Sequence, residues 1–83
     1  MNNMSGLYIF TSSWCQSCKQ LKGALKHAGI EFETVDADSD SGVEFGMKYR
    51  VRSMPTSFIF KDGELVKTIV GVKPVSEYIV EEV

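Results

Sequence analysis

Apolar and polar positions along the chain follow two periods, and each change of period marks an element. Residues 7–11 form a short apolar run, partly aromatic and β-branched, of the kind that makes a strand buried on both faces. After Ser12-Ser13-Trp14-Cys15, apolar positions recur every three or four residues at Cys18, Leu21, Leu25 and Ala28, while Lys19, Lys22 and Lys26 fall elsewhere on the wheel. This spacing predicts a helix whose inward stripe opens at Cys18 and which Gly29 ends. Ile30, Phe32 and Thr34 then alternate with Glu31 and Glu33, predicting a second strand over 30–35 with one wet face. Ser41-Gly42-Val43-Glu44 has the spacing of a capping box and predicts a short helix over 43–49, with Val43/Met47 and Phe45/Tyr49 as i,i+4 pairs.

The second half changes character. Residues 56–60 and 65–70 predict two strands joined by a hairpin whose signal is Asp62-Gly63. Pro74 stands where a helix begins, and Val75, Ile79 and Val83 predict the inward stripe of a last short helix. The order is βαβ–α–ββα, a single α/β domain over 1–83 with residues 1–6 as a short tail. A helix joining two strands makes a parallel βαβ unit the expected start.

Composition narrows the function. Eighty-three residues, 43% hydrophobic and 24% charged, suit one ordinary globular core. A net charge of −2 offers no basic surface to neutralise phosphates, so nucleic acid is not expected as a partner. The longest apolar run, Leu7-Tyr8-Ile9-Phe10, is far below the roughly 20 residues of a membrane span, and the residues before it carry no Lys or Arg. No signal peptide, anchor or membrane partner is expected, and the expected location is cytoplasmic. A structural disulfide is improbable in that compartment, which bears directly on the two cysteines. Asp36, Asp38 and Asp40 read as a solvated connection, because the glycine and glutamate of a calcium loop are misplaced.

Cys15 and Cys18 are the residues with chemistry to offer. A four-coordinate metal would need two more thiolates or imidazoles, and His27 lies about 13 Å along the helix from Cys18. One chain cannot close such a site, though two chains sharing a metal could. Two cysteines buried as small hydrophobes is a second explanation; it suits Cys18 on the inward stripe but not Cys15 at the helix end. A redox dithiol is favoured by the physics. Residues three apart on a helix have Cα atoms about 5 Å apart, within the span of a disulfide. Cys15 would lie in the first turn, where unpaired N–H groups and the helix dipole favour a thiolate, whereas Cys18 would keep its proton longer. Cys15 is then the attacking sulfur and Cys18 the one that resolves the mixed disulfide.

These residues, with two further segments, resemble the thioredoxin family. Trp14-Cys15-Gln16-Ser17-Cys18-Lys19 is similar to its Trp-Cys-x-x-Cys-Lys site. Tyr49-Arg50-Val51-Arg52-Ser53-Met54-Pro55-Thr56 is similar to its Tyr-x-Val/Ile-x-x-x-Pro-Thr segment. Phe60-Lys61-Asp62-Gly63-Glu64 with Val70-Gly71 is similar to its hairpin and following glycine. The resemblance implies a minimal thioredoxin fold, a four-stranded mixed sheet in order 2-1-3-4 flanked by three helices. It implies a protein-disulfide reductase whose Cys15–Cys18 pair needs no cofactor. Pro55 would be cis, the Met54 backbone would pair with an extended substrate, and Trp14, Thr56 and Gly71 would complete the substrate surface beside Gln16, Ser17 and Lys19. The implied partners are target protein disulfides, ribonucleotide reductase being a candidate, and an NADPH-dependent flavoprotein of the thioredoxin-reductase kind. The chain is expected to be a monomer.

The departures matter as much. The family's additional N-terminal strand and helix are not matched, its usual Gly-Pro between the cysteines is Gln16-Ser17, and its buried aspartate six residues before the first cysteine is Ile9. Water or an unidentified carboxylate would then take the proton from Cys18. Glutaredoxins share the size, but their Thr-Val-Pro is Ser53-Met54-Pro55 here, a single Gly71 replaces their Gly-Gly, and Val72-Lys73-Pro74 stands where an acidic helix start belongs. Glutathione-coupled reduction is the second expectation and a non-catalytic docking module on the same fold the third.

Overall fold

The computed structural model describes residues 5–80. Four strands and two α-helices follow the predicted order: β1 (Gly6–Thr11), α1 (Gln16–His27), β2 (Glu33–Asp36), α2 (Asp40–Lys48), β3 (Thr56–Lys61) and β4 (Glu64–Val70). A single 3₁₀ turn, Val75–Tyr78, comes last. The sheet order is β2-β1-β3-β4, with β1 and β2 parallel and the β1/β3 and β3/β4 pairs antiparallel. This is the expected mixed sheet. Among the described residues no helix is long and apolar enough to cross a membrane.

Alternation along the two central strands gives the sheet two different faces. Leu7 and Ile9 of β1, with Ile59 of β3 and Ile69 of β4, meet Leu21 and Leu25 of α1. On the other face Phe10, Phe58 and Phe60 pack with Phe45 of α2 and with Tyr49, the residue that caps its C-terminus. The Phe45 ring meets Phe58 edge-on at 5.2 Å between centroids, and Tyr8 meets Phe60 edge-on at 5.6 Å. The β3/β4 hairpin turns through Asp62 and Gly63, both at positive φ (53° and 85°), as a two-residue turn of the primed kind requires.

Several predicted details change. The last helix is one 3₁₀ turn rather than a third α-helix; Val75 and Ile79 stay exposed, and Tyr78 is the buried residue. Pro74 and the three residues after it fit a tight turn, and the long Tyr78 ring reaches the core that the shorter Val75 and Ile79 side chains do not. Val83 lies outside the described residues. The cap of α2 is Ser39, whose hydroxyl accepts the Gly42 amide at 2.9 Å, not Ser41. Gly42 passes so close to the Asp36 carbonyl that a Cβ would collide with that backbone, which ties α2 to the end of β2. Val43 and Met47 face solvent, while Phe45 and Tyr49 turn to the sheet. Ala28 caps the exposed end of α1 instead of extending its buried stripe. Ile30 and Phe32 pack against the core from ahead of β2, which pairs only from Glu33.

Candidate active site

The chain leaves β1 at Thr11 and enters α1 at Gln16, and the sulfur pair sits at that junction. Cys15 is the N-cap of α1, extended at φ −87° and ψ 111°. N-caps are usually oxygen side chains that accept an orphan amide of the first turn. Here sulfur takes that role: the Cys18 amide donates to Cys15 Sγ at 3.2 Å. The Ser17 hydroxyl lies 3.4 Å from the same sulfur. Cys15 and Cys18 are joined in a disulfide with Cα atoms 5.2 Å apart. Cys15 retains 7% of its surface and Cys18 none, so an approaching sulfur reaches Cys15.

The surroundings are apolar and open. Trp14, Cys15, Gln16, Ser17, Gln20 and Met54 line one groove. Trp14 is 69% exposed, a surface ring rather than core, and its indole N–H donates to Asp38 Oδ2 at 3.2 Å. Met54 precedes Pro55, their peptide bond is cis, and Pro55 is buried. The Thr56 hydroxyl donates to the Ser53 carbonyl at 2.7 Å, bracing the turn from inside. The Gly71 amide donates to the Pro55 carbonyl at 2.8 Å, so the residue after β4 is tied to the proline segment. Tyr78 holds that connection from beneath: its hydroxyl donates to the Gly71 carbonyl (3.2 Å) and accepts from the Lys73 amide (3.1 Å). Burial pushes the Tyr78 phenol above the ordinary tyrosine value, against the pull of the Lys73 amide in the other direction.

The predicted site residues thus separate into two groups. Trp14, Cys15, Gln16, Ser17 and Met54 share the groove, and Pro55 stands directly behind Met54. Thr56 and Gly71 contribute support rather than groove surface, and Lys19 is an exposed residue of α1. Ile9 is fully buried, so the position is apolar in fact as well as in sequence. Three residues carry no local signal for the places they take. Asp38, 24 positions from Trp14, belongs to a connection whose polar pattern reads as solvated, and no local pattern signals so distant a bond. Gln20 enters the groove from the polar face of α1. Tyr78 is masked in the sequence by the more ordinary helical stripe of Val75 and Ile79.

The wider family is visible in comparisons with known proteins. The thioredoxin family model matches residues 2–81. A thioredoxin of Bacillus subtilis is 39% identical over 69 residues, 78% of this chain and 66% of its own length. A thioredoxin of Pyropia yezoensis is 33% identical over 79 residues, 90% of this chain and 74% of its own. The chain spans about two thirds to three quarters of the length of these relatives. Among solved structures, reduced Schistosoma mansoni thioredoxin superposes with a TM-score of 0.77 at 28% identity, covering 96% of this chain and 79% of that one. Oxidised thioredoxin O2 of Arabidopsis thaliana gives 0.72 at 28% identity, covering 93% and 71%. With a closed cysteine pair at the strand–helix junction and a family model matching almost end to end, this chain belongs to the thioredoxin family.

Proposed function

We propose that the chain is a protein dithiol–disulfide oxidoreductase in which Cys15 attacks and Cys18 resolves. The observation that carries this reading is the Cys15–Cys18 disulfide, with its accessible sulfur at the N-cap of α1 and its buried sulfur inside. Reduced, Cys15 Sγ is held at the positive end of the helix dipole beside the Cys18 amide, which favours its thiolate. That thiolate attacks one sulfur of a target disulfide; the target's S–S bond breaks and the released target sulfur takes up a proton. Cys18 then loses its proton and attacks Cys15 Sγ, the bond between Cys15 and the target breaks, and the second target thiol leaves. The target gains two electrons and two protons, and the Cys15–Cys18 pair gives them up.

Trp14 and Met54 offer apolar contact on either side of the reacting sulfur, and the Met54 backbone is the edge an extended target segment would pair with. Relatives named thioredoxin support a protein substrate, and the electron source we infer is an NADPH-linked flavoprotein of the thioredoxin-reductase kind. A reducing compartment such as the cytoplasm fits a pair that works as a reductant.

The test is equilibration of the pair against a graded dithiol buffer, with reduction of a model protein disulfide measured alongside. A reversible couple is expected, together with loss of turnover in Cys15→Ser and accumulation of a mixed disulfide in Cys18→Ser. A pair that shows no reversible equilibrium would overturn the reading.

A further inference from the structure

Among the described residues, three buried side-chain hydroxyls have no hydrogen-bond partner: Thr11, Ser12 and Ser57. Their relative exposures are 4%, 2% and 0%. A buried hydroxyl left unpaired costs about 1–3 kcal/mol, so most proteins satisfy or remove such groups. Here all three gather at one end of the sheet, the end from which the chain passes to Cys15. Thr11 closes β1, Ser12 follows it, and Ser57 is the second residue of β3.

Ser57 is the most confined. It stands directly opposite Ile9 in the β1/β3 pair and opposite Ile69 in the β3/β4 pair, and residues opposite one another share a face. Ile9 and Ile69 belong to the layer under α1, so Ser57 does too. Cys18 opens the buried stripe of α1 that continues through Leu21 and Leu25 into this same layer. The first turn of α1 lies at the sheet end where Ser57 lies. The residues opposite Ser57 on β1 and β4 are Ile9 and Ile69, which carry no charge. The titratable groups of this layer are Tyr78 in the last turn and Cys18 on the inward stripe of α1. Glu77, ion-paired with Lys67 of β4 at 3.4 Å, acts on the Tyr78 phenol from outside. The Tyr78 proton is already donated to the Gly71 carbonyl. Ser57 lies near enough to influence the phenol, yet the two hydroxyls make no well-aligned hydrogen bond.

We propose that Ser57 is a positioning residue whose hydroxyl is held unpaired while the cysteine pair is closed and donates a hydrogen bond to the Cys18 sulfur when the pair opens. This rests on the oxidoreductase reading above. In the disulfide, the Cys18 sulfur is a weak acceptor and the hydroxyl gains little. In the mixed disulfide, Cys18 must become a thiolate inside an apolar layer, where burial opposes the charge and Ile9 supplies no assistance. A hydrogen bond to a charged acceptor is stronger than one to a neutral acceptor, so the donor gains its partner at the step that needs it. Ser57 keeps its own proton throughout. The Cys18 proton departs to solvent, the sulfur attacks Cys15 Sγ, and the target sulfur leaves with the electron pair and is protonated.

The experiment is a pH titration of both sulfurs in the reduced protein by NMR of 13Cβ-labelled cysteine, in the parent and in Ser57→Ala. Loss of one charge-assisted hydrogen bond is expected to raise the Cys18 titration by about one unit while Cys15 moves much less. The thiolate fraction below that titration falls about tenfold; higher intrinsic nucleophilicity offsets half of this on a logarithmic scale, leaving resolution about threefold slower. Removal of an unpaired buried hydroxyl should leave the oxidised protein at least as heat-stable as the parent, and that asymmetry separates the proposal from simple damage to the fold. An unchanged Cys18 titration in a folded Ser57→Ala protein would overturn it. Should that variant not fold, Ser57→Thr retains the hydroxyl and must titrate like the parent; a full-unit rise there would equally overturn it. Failure of the oxidoreductase reading looks different, because the parent itself would then show no reversible pair.

Discussion

The two faces of the sheet are built from different materials. The layer under α2 is aromatic, with Phe10, Phe58 and Phe60 clasped by Phe45 and Tyr49. The layer under α1 is mostly aliphatic around the buried Tyr78 ring, and at the end nearer Cys15 it turns polar at Thr11 and Ser57. Rings packed edge-on, tilted and stacked against one another supply large apolar area. Aliphatic side chains make a medium in which a sulfur and a few hydroxyls are the sole polar actors, so each counts for more. Both layers hold the fold together, and only the layer under α1 also borders the buried reacting sulfur.

The largest expected effect breaks the aromatic layer. Phe58→Ala should cost about 3–5 kcal/mol, a large share of the roughly 4–12 kcal/mol expected for a domain of this size. Denaturant unfolding will show it, and where the variant still folds, the dithiol equilibrium should stay within about twofold of the parent. Leu21→Ala removes a side chain from the other layer, one turn below Cys18, at about 2–5 kcal/mol. If the contrast between faces is right, it shifts the dithiol equilibrium as well as the unfolding midpoint. A smaller loss is expected of Gly42→Ala, whose new Cβ meets the Asp36 carbonyl; about 1–3 kcal/mol of backbone displacement should appear as a lower midpoint with unchanged slope.

Tyr78→Phe should cost about 1 kcal/mol at neutral pH, because the Gly71 carbonyl and Lys73 amide lose a partner. Its pH dependence is more telling. The folded protein holds the phenol neutral beyond the unfolded value of 10.0, so the folded state binds that proton more tightly. The resulting stability is fully present below pH 10 and is lost as pH rises through the folded value; Tyr78→Phe should flatten that alkaline decline. The smallest effect on stability belongs to Trp14→Ala, within about 0.5 kcal/mol for so exposed a ring. Turnover of a protein disulfide should fall several-fold in the same variant while a small-molecule disulfide is reduced as before.

Much of this was legible in the chain because periodicity and turn chemistry are local. The inward stripe of α1 at Cys18, Leu21 and Leu25 and the Asp62-Gly63 hairpin follow from neighbours in sequence, whereas the sheet order rests on the likeness of three separated segments to a known family. What escaped was set by distance. Ser39 outcompetes Ser41 as a cap because Asp36 and Gly42 meet there in space. Tyr78 becomes the buried anchor because Gly71 and Lys73 place a carbonyl and an amide at the end of its ring. The cysteines could be assigned because their spacing alone fixes a disulfide's reach, whereas Asp38 and Ser57 acquire meaning only when β2 and β3 are laid beside β1.

The sulfur cap of α1 has one more consequence. An oxygen cap has a constant character, but Cys15 Sγ changes from a bonded, neutral sulfur to a free one that the helix dipole helps to ionise each time the pair is reduced. The first backbone amide of the helix to touch it, that of Cys18, therefore experiences two electrostatic environments in each catalytic round. Its proton resonance should move downfield as the anion forms, so a single backbone signal would count the electrons stored in the domain. The helix start serves as its own gauge.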